Sequence, residues 1–274
     1  MIQLDDQTLR RLQMVELEMI IEVDRICKKC KIQYNIIAGT LLGAVRHGGY
    51  IPWDDDADVA MPREEYEKFR KACITELDTS RFYFQDHRNT KGYRWGYGKL
   101  RRKDTLFLRE HQEHMPYEQG VFIDVFPMDG VPDSHLLRTL KNFECFCVRK
   151  ILWSKVGKVA DKKASMRKVY AVLDKIPEDT VFHYYQKMVR NANKRETTMV
   201  RILTFPTPNK EYGYYRKWYT KSEDIDFEGF TFRGIRDYVE YLTFKYGDYM
   251  ELPPENQRKV HPVSDIRLID VNLQ

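Results

Sequence analysis

Leu9, Leu12, Val15, Met19, Val23 and Ile26 recur at three- and four-residue spacing, so one apolar stripe runs along a helix that must pack on a core. The spacing then shortens. Tyr34-Asn35-Ile36-Ile37-Ala38 predicts a buried strand closed by Gly39-Thr40, and Leu41 to His47 returns to helical spacing before stopping at Gly48-Gly49. Arg63 to Leu77 predicts a helix opened by Pro62, with Glu64 and Glu65 at its positive end. Phe82 to Gln85, Arg94 to Arg101 and Val121 to Phe126 have the β-branched and aromatic content of strands. This alternation predicts an α/β or α+β core ending near Gly130. Beyond it, His135 to Trp153, Ser165 to Leu173 and Thr180 to Asn193 have helical spacing. Short strands follow at Val200 to Phe205 and Phe227 to Phe232, and a last helix at Asp237 to Tyr246. No internal repeat or low-complexity linker interrupts the chain. The reading is one domain over 1–274: an N-terminal helix (1–31), a core (32–130) and a helical C-terminal half (131–274) docked on it.

Between the two glycine-bounded elements lies Ile51-Pro52-Trp53-Asp54-Asp55-Asp56-Ala57-Asp58-Val59-Ala60-Met61. If this is a half-buried strand, Asp54, Asp56 and Asp58 share one face, opposite Ala57 and Val59. Carboxylates about 4 Å apart repel by roughly 4 kcal/mol at an effective dielectric near 20, and a hard divalent cation offsets that cost. Asp54, Asp56, Asp58 and Glu65 also match a calcium-loop register. That loop needs Gly at its sixth position, where this chain has Val59, and Pro52 and Pro62 disfavour the flanking helices.

Upstream, Thr40 is suited to cap the helix, whose free amides and dipole favour phosphate, and Gly39 permits close backbone approach. Arg46 and His47 stand at the far end, where they either reach a ligand or favour the helix terminus. Two acids from one strand cannot surround a cation, so a further acid must come from elsewhere. Asp124, inside Val121-Phe122-Ile123-Asp124-Val125-Phe126-Pro127, is the candidate, with a buried salt bridge as its structural alternative. Asp129, before Gly130, reads as turn chemistry. Lys99, Arg101 and Arg102 follow Trp95 and Tyr97 in an alternating pattern, so one face offers cations to a diphosphate.

Gly39 to Met61, with Arg46-His47-Gly48-Gly49 and Pro52-Trp53-Asp54-Asp55-Asp56-Ala57-Asp58, resembles the LicD family of phosphotransferases. Lys99-Leu100-Arg101, Ile123-Asp124-Val125-Phe126-Pro127, Tyr246-Gly247-Asp248-Tyr249-Met250 and Leu252-Pro253-Pro254 extend the likeness over most of the chain. It implies an α+β, nucleotidyltransferase-like core of mixed sheet with flanking helices. It also implies transfer of a phosphorylated alcohol, typically phosphocholine, from a CDP-linked donor to a sugar hydroxyl of a surface glycan such as a lipopolysaccharide or teichoic acid precursor, releasing CMP. Fukutin-related proteins are similar. On the matching residues, Gly39 and Thr40 become the phosphate turn, Asp56 and Asp58 the central metal pair and Asp54 an additional ligand. Arg46, Lys99 and Arg101 become substrate contacts. The expected cofactor is Mg2+, with Mn2+ as the alternative, and Asp124 is the expected base for the acceptor hydroxyl. A nucleotidyltransferase releasing pyrophosphate, or a noncatalytic nucleotide- or metal-binding module, are the alternatives.

Composition adjusts this picture little. Over 274 residues the net charge is +5, with no Lys/Arg block, which suits anionic donors, glycan phosphates or a membrane surface better than nucleic acid. The longest apolar stretch, Ile36 to Val45, is about half of the roughly 20 residues a membrane span needs. The expectation is a cytoplasmic protein, with peripheral contact at the inner face of the membrane left open and a glycan acceptor that is itself free or lipid-linked. Five cysteines read as thiols, and neither Cys27-Lys28-Lys29-Cys30 nor His111 with His114 has a matching set for zinc. Aromatic residues, 13% of the chain, would suit a quaternary ammonium, although core packing accounts for most of them.

Overall fold

The computed structural model describes residues 2, 4–258 and 260–273. Helix α1 (Asp6–Cys30) leads to β1 (Asn35–Ile36), α2 (Ala38–His47), β2 (Asp58–Pro62) and α3 (Arg63–Glu76). Strands β3 (Phe82–Gln85), β4 (Gly98–Arg102), β5 (Leu106–Arg109) and β6 (Phe122–Val131) follow. The second half comprises α4 (His135–Ala160), α5 (Ala164–Leu173), α6 (Glu178–Ala192), β7 (Met199–Arg201), β8 (Tyr214–Tyr215) and α7 (Lys217–Thr220). It ends with β9 (Ser222–Phe227), β10 (Phe230–Ile235), α8 (Tyr238–Tyr246) and β11 (Val263–Arg267).

Nine of these strands form one mixed sheet in the order β3-β4-β6-β2-β1-β10-β9, with β7 on β6 and β8 on β7. The pairs β2–β6 and β1–β10 are parallel and the others antiparallel. This is the expected α+β core with flanking helices. All ten residues of β6 are buried, as its apolar run requires of a central strand. Helix α1 starts where Asp5 accepts a bond from Thr8 N at 2.7 Å and ends at Lys31 in the left-handed region, φ 55°. Its predicted apolar stripe is buried throughout. A second, smaller core joins α4, α6 and β7 through Val148, Leu152, Phe182, Tyr185 and Met188.

Two differences from the sequence reading bear on the site. The acidic segment pairs as a strand only from Asp58 onward. Asp54 N bonds Ile51 O at 2.9 Å, so Pro52 and Trp53 form a turn, and Asp54 and Asp56 sit on the approach to β2, not on one strand face with Asp58. The second difference is that the chain after residue 130 completes the sheet. Hairpin β9–β10 returns to lie beside β1, with Ile36 opposite Gly234. A smaller antiparallel pair, β11 on β5, carries the C-terminal segment back to the acidic end of the core.

Candidate active site

Adjacent strands bring the acids together. Asp58 on β2 is in register with Asp124 on β6, which on its other side is in register with Lys99 on β4. Neighbouring strands lie about 4.8 Å apart, so acid, acid and cation form one row across the sheet. Lys99 Nζ makes an ion pair with Asp124 Oδ1 and lies 3.3 Å from the centroid of the Phe122 ring. Burial outweighs the attraction of Asp124 and lowers the Lys99 amine to about 7.

The approach to β2 adds Asp54 and Asp56. Burial, then repulsion from Asp56 and Asp55, pushes the Asp54 carboxyl well above its usual range. Burial, then Asp56, Asp124 and Asp54, does the same to Asp58. Asp56 is raised by burial and held back mainly by His261, and its side chain keeps 28% exposure, so it remains reachable. Asp54, Asp56, Asp58 and Asp124 thus form one electrostatic cluster with too little positive charge around it. Such a set fits a hard divalent cation. Among the described residues no three carboxylate, imidazole or thiolate groups stand together as a group that could hold a metal ion, so two acids at most would contribute and waters or substrate oxygens would have to supply the remaining ligands.

Helix α2 meets this cluster end-on. A Cβ on Gly39 would fall 2.5 Å from Asp54 Oδ2, so only glycine lets the first turn approach that carboxylate. Thr40 is not the cap. Ile37 occupies that position without a side-chain bond, because the helix begins earlier than its spacing suggests. Thr40 lies inside the first turn and its Oγ1 accepts from Asp58 N at 2.8 Å, tying α2 to the start of β2. Arg46 donates to the carbonyls of Tyr249 (2.8 Å) and Glu251 (3.2 Å), so it holds the C-terminal segment against α2. Arg101 is buried and donates to Gln85 Oε1 (2.7 Å) and Gly120 O (2.6 Å). Asp129 is a strand residue, not turn chemistry: β6 continues through Gly130, and Asp129 accepts from Nε and Nη2 of Arg63.

Several site residues escaped the sequence reading. Asp55 is buried and accepts from His261 N at 2.8 Å, with Nδ1 of His261 3.0 Å from its other oxygen, which clasps the C-terminal segment to the acidic turn. Arg109, at the end of β5, has a buried Nε without a partner and lies near Asp56. Lys245 on α8 offsets part of the charge on Asp58. On α1, Gln13 Nε2 donates to Asp54 O at 3.0 Å, and the buried Glu16 carboxyl is pushed up first by burial and then by the acids. Only Gln13 and Glu16 left a local signal, as polar residues within the face bounded by Leu12 and Val15.

One cavity reaches this cluster at Asp54, and a second opens at Lys99, the partner of Asp124. The first, of about 440 Å³, is lined by Gly39, Asp54 and Trp53 and by Tyr246, Asp248 and Tyr249 of the C-terminal segment. The other, of about 380 Å³, is lined by Lys99, Arg101 and Arg109 together with Trp95, Tyr97 and Phe122. The first combines acids with aromatic faces, and the second combines cations with aromatic faces.

Residues 31–146 match the LicD/FKTN/FKRP nucleotidyltransferase domain. Lipopolysaccharide cholinephosphotransferase LicD of Haemophilus influenzae is 29% identical over 284 residues, spanning 96% of this chain and 98% of that protein. An uncharacterized protein of Rickettsia typhi is 44% identical over 50 residues, and one of Rickettsia prowazekii is 48% identical over 44, each covering less than a fifth of either chain. The domain match and the near-complete span of the first likeness lead to one conclusion: residues 31–146 of this chain are a LicD/FKTN/FKRP nucleotidyltransferase domain, and the chain is an enzyme.

Proposed function

We propose that the protein transfers phosphocholine from CDP-choline to a hydroxyl of a glycan, releasing CMP. The observation that carries this reading is a cavity in which Asp54 of the acidic cluster meets aromatic faces, together with a cationic cavity at Lys99, the ion-pair partner of Asp124. CDP-choline has a quaternary ammonium at one end and a nucleoside diphosphate at the other. Trp53, Tyr246 and Tyr249 with Asp54 and Asp248 suit the ammonium, since aromatic faces and carboxylates both attract a cation that cannot donate hydrogen bonds. The guanidinium of Arg258, 4.3 Å above the Trp53 ring, indicates that this indole face attracts positive charge. Lys99, Arg101 and Arg109 suit the diphosphate, and the unpartnered Nε of Arg109 gives the guanidinium a donor to spend on it.

In this reading Asp56 and Asp58, with Asp54 nearby, would hold Mg2+ together with waters and substrate oxygens, and the ion would supply positive charge against the diphosphate. Asp124, with Lys99 on its Oδ1, takes the proton of the acceptor hydroxyl on its other oxygen. The hydroxyl oxygen forms a bond to the phosphorus bearing choline as the bridging P–O bond to CMP breaks, and Lys99 and Arg109 stabilise the charge on the departing phosphate. Aromatic walls limit water, which would otherwise compete with the acceptor.

The test is a product assay with Mg2+, CDP-choline and a lipopolysaccharide core oligosaccharide, with CTP supplied in parallel. CMP release that needs both acceptor and metal supports the proposal. Pyrophosphate from CTP, with no CMP from CDP-choline, CDP-ribitol or CDP-glycerol, overturns it in favour of nucleotidyl transfer.

A further inference from the structure

Helix α4 has an outer face that the fold leaves uncovered. Leu136, Leu137, Leu140, Phe143 and Phe146 are 71, 51, 61, 66 and 42% exposed, while Cys145, Val148 and Leu152 of the same helix are buried in the second core. Leu136, Leu140 and Phe143 recur at helical spacing, so the first half of α4 carries an exposed apolar stripe in addition to the side packed in the core. Five large side chains so exposed amount to several hundred Å² of apolar surface, at the upper limit of what monomeric soluble proteins leave open.

Charge indicates the cover. From His135 to Ala192, through α4, α5 and α6, there are thirteen Lys and Arg against five Asp and Glu, a net +8 in a chain whose total is +5. The remainder of the protein is thus net negative, and the positive charge gathers in the three-helix segment to which this apolar face belongs. Arg149 and Lys150 lie 5.6 and 5.4 Å from the centroid of the Phe146 ring, and both also line the Lys99 cavity. Apolar face, basic flank and cavity mouth are continuous. A second copy of this chain would bring the two basic regions together and be disfavoured by repulsion, whereas an anionic bilayer satisfies both features. No described helix is long and apolar enough to cross a membrane, so contact through α4 would be peripheral.

We infer that the outer face of α4, Leu136 to Phe146, docks on an anionic lipid surface and turns the mouth of the Lys99 cavity toward it. Docking stands on this surface alone. Its use, bringing the enzyme to an acceptor carried on lipid, rests on the transfer reading above.

The experiment is co-sedimentation of the full chain with phosphatidylglycerol–phosphatidylcholine vesicles and with pure phosphatidylcholine vesicles, at low and raised salt. Wild type should bind the anionic vesicles, weaken with salt and leave the neutral vesicles largely unbound. Leu140→Asp and Phe143→Asp should each reduce partitioning ~tenfold, because a charge is placed in the apolar layer. Thermal midpoint and CMP release with a water-soluble acceptor should be unchanged, which separates failure to dock from failure to catalyse. Absence of binding to anionic vesicles, or binding unaffected by both substitutions, overturns the inference. So does a wild-type dimer in light scattering that the variants convert to monomer, since the face would then be a contact between copies.

Discussion

Strand β6 carries two buried acids five positions apart, and they have opposite characters. Asp129 receives Arg63 Nε and Nη2 at 2.7 and 2.6 Å and Asn193 Nδ2 at 2.7 Å, so its charge is matched by a guanidinium whose remaining nitrogen, Nη1, turns to Glu67 at 3.3 Å. Asp124 has a lysine whose charge is lost near neutral pH and is in register with Asp58, itself pushed up by its acidic neighbours. One end of the strand is electrostatically closed and the other is short of positive charge. A buried acid in an apolar strand is therefore not informative by itself; the number and permanence of the cations around it separate an anchor from a reactive site.

Substitution can break this contrast at either end. Asp58→Asn and Asp56→Asn should reduce turnover by roughly a thousandfold, about 4 kcal/mol of transition-state stabilisation, while the thermal midpoint in the absence of divalent cation stays level or rises as repulsion is relieved. Turnover and melting measured on the same preparations check this, and near-normal turnover in both variants would make the two ends equivalent. Arg63→Ala should do the reverse. Leaving Asp129 buried and unpaired should cost about 3–4 kcal/mol in denaturant unfolding, while the catalytic constant of the folded fraction is kept. A smaller effect sharpens the contrast. Because burial lowers Lys99 to about 7, its charge is present below that pH and fades above it. Donor affinity should then fall by up to tenfold per pH unit above that value, and Lys99→Met should start weak and show no such slope. Calorimetric titration with CDP-choline across this range reads both, and parallel slopes would remove Lys99 from donor binding.

The site was legible in the sequence where its chemistry is local. Asp54, Asp56 and Asp58 are close in the chain and could be recognised as a group, Asp124 stood out because a charge inside a strand pattern needs a partner, and Lys99 stood out by its place on an alternating strand face. Thr40 was misplaced because a cap is decided by where the helix begins. Here β1 ends at Ile36, and the chain enters α2 through Ile37 as cap and Ala38 at φ 51°, ahead of the glycine. Arg109, Lys245, Asp55 and His261 were missed because their neighbours lie far away in sequence.

Periodicity and composition determined the helices, the central strand and the acidic segment, since these follow from which face of a short element must avoid water. Tertiary structure alone decided that β9 and β10 return beside β1, that β11 carries His261 to Asp55, and that acids from β2 and β6 stand in one row with Lys99. Those relations are pairings across large sequence separations, whose cost in chain entropy is offset only when the whole sheet forms at once.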